Sequence, residues 1–315
     1  MILIVSFTGN THVERVTRHL STPFAVIDQA WFPSSLALTV GVDRDGFEQR
    51  FRLPDGGILD LGAISAVWYR RIRPMTLEPT MTDDVARLFA WSESNEALLG
   101  AFYALDCYWM NHPAADEVAQ RKVRQLQVAQ DVGLSIPKTC ITNNPASARA
   151  FIEAHAPGDV IRKAFRNIRE APRETARVQP EDMERIDTVA YAPVIFQKFV
   201  AADLDLRTTV VDGEMFTAAI RSDADHQVDY RNGLGSAEVT PYRLPDDVAD
   251  KLQALMDRLG LTFGAVDFRV TPDGEHVFLE VNPAGEYLFV VDRIDLPIPQ
   301  AIAAALERGQ RTVRA

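Results

Sequence analysis

The chain has 315 residues, 47% of them hydrophobic and 24% charged, the balance of a soluble enzyme long enough for two or three domains. Lysine and arginine number 33 against 44 acids, a net charge of -11, which argues against general binding to nucleic acid and requires any anionic ligand to meet a local basic cluster. No apolar run reaches membrane-spanning length and Met1 to Phe7 is too short for a signal segment, so no membrane partner and a cytoplasmic setting are expected, with Cys107 and Cys140 as buried reduced thiols.

Ile2 to Ser6 is an apolar run suited to a central parallel strand, and Gly9-Asn10-Thr11-His12 forms a loop before a helix through Leu20. Such a loop can hold phosphate, but the glycine pattern of a dinucleotide fingerprint is absent and a plain turn is the simpler reading. Ala25 to Ile27 and Ala66 to Tyr69 read as strands, Phe47 to Leu53 as part of a hairpin, and Asp83 to Leu105 as one long helix or two. Met110-Asn111-His112-Pro113 breaks the pattern, so a first α/β domain is expected to end near residue 112.

Ala115 to Val132 follows as a helix closed by Gly133, then an extended Leu134 to Thr139 and a helix opened by Thr142-Asn143-Asn144-Pro145. On the strand Val160 to Phe165, Lys163 shares a face with Ile161 and Phe165. An ammonium there is costly unless it reaches water or meets an anion. Residues 162 to 177 hold six basic side chains, Arg162, Lys163, Arg166, Arg169, Arg173 and Arg177, against Glu170 and Glu174. Either several of these are solvated or Lys163 faces phosphate. Val194 to Val200 is a strand whose apolar residues either bracket an adenine or form ordinary core, and it leads into Asp203-Leu204-Asp205-Leu206-Arg207. Leu206 to Ile220 is a hairpin turning at Asp212-Gly213, Asp223 to Ser236 has the composition of an active-site loop, and Val248 to Leu259 is an amphipathic helix.

The last hairpin carries the chemistry. Val266-Asp267-Phe268-Arg269 and Phe278-Leu279-Glu280-Val281-Asn282-Pro283 are apolar strands interrupted by an acid, an arginine, a second acid and an asparagine. Alternation puts Asp267 with Arg269 on one face and Glu280 with Asn282 on one face of the return strand. If Asp267 pairs with Glu280, all four converge, and two opposed carboxylates need something positive between them. Asp267, Glu280 and Asn282 would then suit a magnesium ion whose other positions go to water and phosphates. A solvated surface hairpin is the alternative.

Together, Lys122 on a helix, Lys163 on a strand, Gln197-Lys198-Phe199-Val200, and Asp267 followed by Glu280-Val281-Asn282 resemble the ATP-grasp superfamily. Val67-Trp68-Tyr69-Arg70-Arg71, Asp267-Phe268-Arg269 and Asn282-Pro283-Ala284-Gly285-Glu286-Tyr287 narrow the resemblance to the graspetide ligases, peptide maturases typified by the microviridin macrocyclases. The resemblance implies an α/β ATP-grasp fold: an N-terminal pre-ATP-grasp domain over 1–112, a central α+β domain over 113–193 and a C-terminal ATP-grasp domain over 194–315. It implies ATP and magnesium as cofactors, Lys122 and Lys163 on phosphates, and Gln197, Lys198, Phe199 and Val200 as the adenine hinge. It associates Asp267 and Arg269 with the acidic core of a ribosomal precursor peptide, with Arg207 and Lys163 beside them in the catalytic set. Glu181, Asp182 and Arg185 fall on the helix expected to dock the leader peptide. Acids after Pro180 equally suit a helix first turn. A homodimer is implied as well.

One departure is that Phe165 to Arg173 contains no glycine, where many ATP-grasp ligases have a glycine-rich phosphate loop. The implied reaction links an Asp or Glu side chain to a Thr, Ser or Lys of the same peptide through an acyl phosphate. A ligase of free amino acids or of a protein terminus, and a non-catalytic nucleotide-binding regulator, are the competing readings.

Overall fold

The computed structural model describes residues 1–165, 175–222, 228 and 233–312, with side chains to residue 309. The N-terminal part comprises β1 (Ile2–Val5), α1 (Thr11–Thr17), β2 (Phe24–Ile27), β3 (Ala37–Val42), β4 (Phe47–Arg52), β5 (Ile58–Asp60), β6 (Ala66–Tyr69), α2 (Asp84–Tyr103) and β7 (Tyr108–Met110). Its main sheet is parallel, in the order β2-β1-β6-β7, and β3-β4-β5 is a separate antiparallel sheet. β1 is buried at every position, as its unbroken apolar run requires of a strand covered on both faces.

The next elements are α3 (Pro113–Ala119), α4 (Lys122–Asp131), β8 (Thr139–Thr142), α5 (Pro145–Glu153), β9 (Val160–Lys163), β10 (Ala176–Arg177), α6 (Pro180–Glu184) and β11 (Val194–Lys198). The expected single helix over 115–132 is two helices, because Arg121 is extended at φ -79, ψ 104. Neither glycine nor proline marks that break, and tertiary contact overrides the continuous helical pattern. Gly133 turns the chain at φ 78, as a helix-closing glycine should. The central sheet runs β10-β9-β11-β8 and takes in β11, beyond residue 193.

The C-terminal part is β12 (Leu204–Val211), β13 (Glu214–Arg221), β14 (Glu238–Tyr242), α7 (Asp246–Leu259), β15 (Phe263–Val270), β16 (His276–Asn282), α8 (Leu288–Ile294) and α9 (Ile298–Thr312). Its antiparallel sheet has the order β14-β13-β12-β15-β16. Asp212 and Gly213 both have positive φ, 49° and 86°, the backbone that a tight β12–β13 turn demands. Most of the loop expected over Asp223–Ser236 lies outside the described residues.

One face of this sheet packs on α7 through Leu252, Leu255, Met256 and Leu259, all buried. Each such side chain contributes roughly 1.5–3 kcal/mol on burial. On the other face α9 brings Ile298, Ile302 and Leu306 into a core shared with Ile2, Ile4 and Trp68 of the N-terminal sheet and Phe263 of β15. Gly309 allows that close approach, since a Cβ there would lie 2.1 Å from the Tyr108 ring. The N-terminal sheet is thereby held against the strand that carries Asp267. No helix among the described residues is long and apolar enough to cross a membrane.

Candidate active site at the final hairpin

Asp267 on β15 is paired directly with Glu280 on β16, the register on which the convergence of the two acids depends. A bulge follows: Phe268 faces Phe278, which leaves Leu279 as the extra residue. Each carboxylate has a cation of its own. Both oxygens of Asp267 accept from Arg207 Nη1, at 2.8 and 2.9 Å. Glu280 Oε2 accepts from Lys122 Nζ at 2.6 Å. The side chains are 14% and 26% exposed for the two acids, 8% for Arg207 and 22% for Lys122, so the cluster is largely but not wholly screened from water.

Lys122 comes from the first turn of α4, and Gln125, one turn on, faces the same way. Gln125 Nε2 donates to the Val281 carbonyl at 2.8 Å and its Oε1 accepts from the Val281 N–H at 3.2 Å. The amide thus grips the backbone between Glu280 and Asn282. Asn111 does the same from the N-terminal side: its Nδ2 donates to the carbonyls of Phe263 and Pro283, and its Oδ1 accepts from the N–H groups of Thr262 and Phe263. Asn282 is exposed, with Oδ1 accepting from the Ala284 N–H at 3.1 Å. Neither Gln125 nor Asn111 is identifiable in the sequence as a site residue, because each works by pairing with backbone distant in the chain. For Asn111 the sole local signal is an amide ending the apolar run Tyr108-Trp109-Met110; Gln125, set among Arg124, Gln127 and Gln130, has none.

Arg269 shares the face of Asp267 but does not bind it. Antiparallel pairing sets Asp205 opposite Arg269 and Arg207 opposite Asp267, so acids and arginines alternate across the two strands. Arg269 Nε donates to Asp205 Oδ1 at 2.9 Å and Nη1 to the Val200 carbonyl at 2.8 Å. The guanidinium lies 5.1 Å from the Phe199 ring, whose centroid Arg177 approaches to 3.9 Å. Among the described residues Arg269 thus meets its cross-strand neighbour Asp205 and the Val200 carbonyl, whereas Asp267 meets Arg207.

In the expected hinge, Gln197 is buried and bridges Lys163 Nζ, at 3.4 Å, to Thr139 Oγ1, at 2.9 Å. Lys198 is exposed, with its N–H on the Lys138 carbonyl, and the Phe199 N–H donates to the Asp159 carbonyl. Lys163 also lines a cavity of about 640 Å³ with Arg162, Asp182, Arg185 and Phe196. Asp182 Oδ2 accepts from Arg162 Nε at 3.0 Å and from the Gln179 N–H at 3.0 Å, closing a capping box on α6. Glu181 and Arg185 are exposed. Arg166, Arg169 and Arg173, and the segment lacking the phosphate-loop glycines, fall almost wholly outside the described residues.

Among the described residues no three His, Cys, Asp or Glu side chains gather into a closed metal cage. Two opposed carboxylates and one amide oxygen, flanked by a lysine and an arginine, are the donor set of an open site. Such a set fits a magnesium ion that keeps phosphate oxygens and water as its remaining ligands.

Residues 1–117 match the family described as the MvdD pre-ATP grasp domain. The macrocyclase MdnC of Microcystis aeruginosa MRC, solved with its precursor peptide MdnA, is 30% identical over 98% of this chain and 99% of its own, with a TM-score of 0.87. This chain belongs to the graspetide ATP-grasp macrocyclases. MdnB of the same organism, also a macrocyclase, is 33% identical over 97% of this chain and 98% of its own, with a TM-score of 0.82. A RiPP-associated ATP-grasp ligase of Chryseobacterium gregarium, solved with ADP and a leader and core peptide, is 27% identical over 98% of this chain and 96% of its own, with a TM-score of 0.88. No curated protein matches the chain. The macrocyclase fold accounts for α4 and β12 meeting the final hairpin, which brings Lys122 and Arg207 to the two acids.

Proposed function

We propose that this macrocyclase is an ADP-forming ligase that joins an Asp or Glu side chain of a ribosomal precursor peptide to a Thr or Ser hydroxyl, or a Lys amine, of the same peptide. The observation that carries this reading is the Asp267–Glu280 pair, each acid already matched by a cation at hydrogen-bond distance. Magnesium, when bound by Asp267, Glu280 and Asn282, offsets charge on the triphosphate. Lys122 and Lys163 bind phosphate oxygens, which lets a second anion approach. The peptide carboxylate attacks the γ-phosphorus, the bond to the β-bridging oxygen breaks and ADP leaves. The acceptor oxygen or nitrogen then attacks the acyl carbon. Phosphate departs with the electron pair, the acceptor gives up its proton, and an ester or amide remains.

A precursor with an acidic, Thr-containing core, incubated with magnesium and ATP, should lose one water per ring by mass as ADP accumulates. Free amino acids should release none. Lys122→Met should raise KM for ATP roughly 10- to 100-fold, the worth of a hydrogen bond to a charged group. ADP formation without dehydrated peptide would overturn the reading.

The same reading includes leader docking on α6. Glu181→Ala removes an exposed acid that lies outside the capping box and contributes at most about 1 kcal/mol to the helix first turn, so a rise in the precursor concentration required for half-maximal rate with an unchanged melting temperature tests docking. Asp182→Ala also opens the capping box and the Arg162 pair, and should lower stability by about 1 kcal/mol. Unchanged precursor affinity in Glu181→Ala removes that residue from the docking surface. A second copy of the chain would be met by α2, whose Val85, Leu88, Phe89 and Trp91 are 75%, 69%, 67% and 46% exposed. Contiguous apolar surface of this kind marks an interface. Phe89→Glu should then shift sedimentation from dimer to monomer, and a wild-type monomer would exclude the dimer.

A further inference from the structure

The main N-terminal sheet has the order β2-β1-β6-β7 with all strands parallel. The chain leaves β1 toward β2 on one side and β6 toward β7 on the other. The carboxyl ends of β1 and β6 therefore flank a topological switch point, the crevice in which open α/β sheets take ligands. Four side chains meet there: His12 from α1, Arg70 and Arg71 directly after β6, and Glu286 from the loop after β16.

Arg70 is 1% exposed and lies 5.2–5.8 Å from the centroids of Trp68, Phe263 and Tyr287. Its Nη2 donates to the Gly285 carbonyl at 3.0 Å, while Nε and Nη1 have no hydrogen-bond partner among the described residues. A buried guanidinium so sparsely satisfied costs stability that a methionine in the same place would not. Burial pulls its pKa down to about 10, which leaves it charged at neutral pH. Arg71 holds φ at 52°, a conformation that side chains other than glycine seldom adopt and that concentrates at functional sites. There its Nη1 reaches Glu286 Oε1 at 2.5 Å. The other oxygen of Glu286 meets His12 Nε2.

The crevice thus has two guanidiniums and an imidazole around a single carboxylate. Glu286 and Arg71 are both 43% exposed, so the ion pair that closes the crevice is open to solvent. The backbone beneath is fixed. Arg70 holds the Gly285 carbonyl, Arg207 Nη2 holds the Glu286 carbonyl at 2.8 Å, and a Cβ at Gly285 would lie 2.4 Å from that of Ala265. Glu286 can therefore leave by a side-chain rotation that does not move this backbone. Arg207 is the same residue whose Nη1 binds Asp267, so the crevice stands one guanidinium away from the nucleotide-side acids.

We propose that this crevice is a subsite for the carboxylate of an Asp or Glu side chain of the peptide, held by Arg71 beside Arg70 and His12, and that Glu286 is its resident carboxylate until the peptide displaces it. The inference rests on reading the chain as a peptide-carboxylate ligase, but its test does not need the precursor. Glutarate serves as the probe, titrated at constant ionic strength with magnesium and a non-hydrolysable ATP analogue present. The readout is the ring-nitrogen resonances of His12, assigned among the six histidines by their loss in His12→Gln. Wild type should show a saturable shift that glutaramide does not produce. Arg71→Gln should raise the midpoint at least 10-fold, and Glu286→Gln, which removes the competitor, should lower it at least 3-fold. Thermal melting of each variant establishes that it is folded. No saturable shift in wild type, or an unchanged midpoint in folded Arg71→Gln, overturns the subsite. Calorimetry of the ATP analogue in the same samples separates the two readings: lost nucleotide binding with an intact glutarate shift counts against the ligase, not against the crevice.

Discussion

Asp267→Asn is expected to lower ring-forming turnover by on the order of 10³-fold, the scale of removing a principal charge-stabilising group from a transition state. The substitution keeps the size of the side chain and one carbonyl acceptor but removes the charge. In the proposed site it deprives the cation of a ligand. It also leaves the Arg207 guanidinium, 8% exposed, without its neutralising carboxylate. Losing one partner of a buried pair costs about 3–5 kcal/mol, and the retained carbonyl of Asn should hold the loss to the low end. The two consequences are separable. Melting temperature should fall by several degrees whether or not magnesium is present, whereas the turnover defect should persist at temperatures where the variant is fully folded. Near-wild-type turnover in folded Asp267→Asn would show that this acid serves only the Arg207 pair, and the hairpin would lose its claim to a cation.

Arg269→Lys is expected to weaken ADP binding by about 10-fold or more. The physical reason is geometric: a guanidinium satisfies Asp205 through Nε and the Val200 carbonyl through Nη1 while lying over Phe199, and a lysine cannot reproduce that fork. Val200 and Phe199 belong to the segment proposed to hold adenine. Releasing them should appear first as lost nucleotide affinity. A hydrogen bond to a charged group is worth about 1.5–3 kcal/mol, so a 10-fold loss requires only part of it to reach the hinge. Calorimetry with ADP at fixed magnesium decides the matter. Unchanged ADP affinity with slowed ring formation would return Arg269 to the role suggested by its place two residues after Asp267, that of gripping the peptide acid.

Strand alternation, which is local, brings Asp267 and Glu280 forward as a pair but leaves their register open: the register next to the turn, with Val270 opposite His276, would set Leu279 against Asp267, and the bulge brings Glu280 there instead. Lys122 follows from the resemblance alone, whereas Lys163 is also marked locally, by sharing a strand face with Ile161 and Phe165 and by the basic residues around it. The partner of Arg269 was not legible. It depends on β12, some sixty residues upstream, lying beside β15 in one register, and a shift of two residues would have paired Arg269 with Arg207. The break between α3 and α4 was hidden for a similar reason, as the contacts that favour it lie on β16 and α7.

By itself the sequence determined the strands and helices whose hydrophobic period is complete within one segment, the turns that need positive φ, and the residue types able to bind a cation and phosphates. Those properties depend on neighbours a few residues away. Tertiary structure alone decided which cation meets which acid, that Asn111 and Gln125 grip the backbone around the site, and that His12, Arg70, Arg71 and Glu286 share a crevice. His12 and Glu286 are 274 residues apart, and they meet because α9 seals the N-terminal sheet against the sheet that carries Asp267. Apolar burial drives that closure and has no direction of its own, so sequence patterns reveal that the faces must be covered without revealing which polar groups the covering brings together.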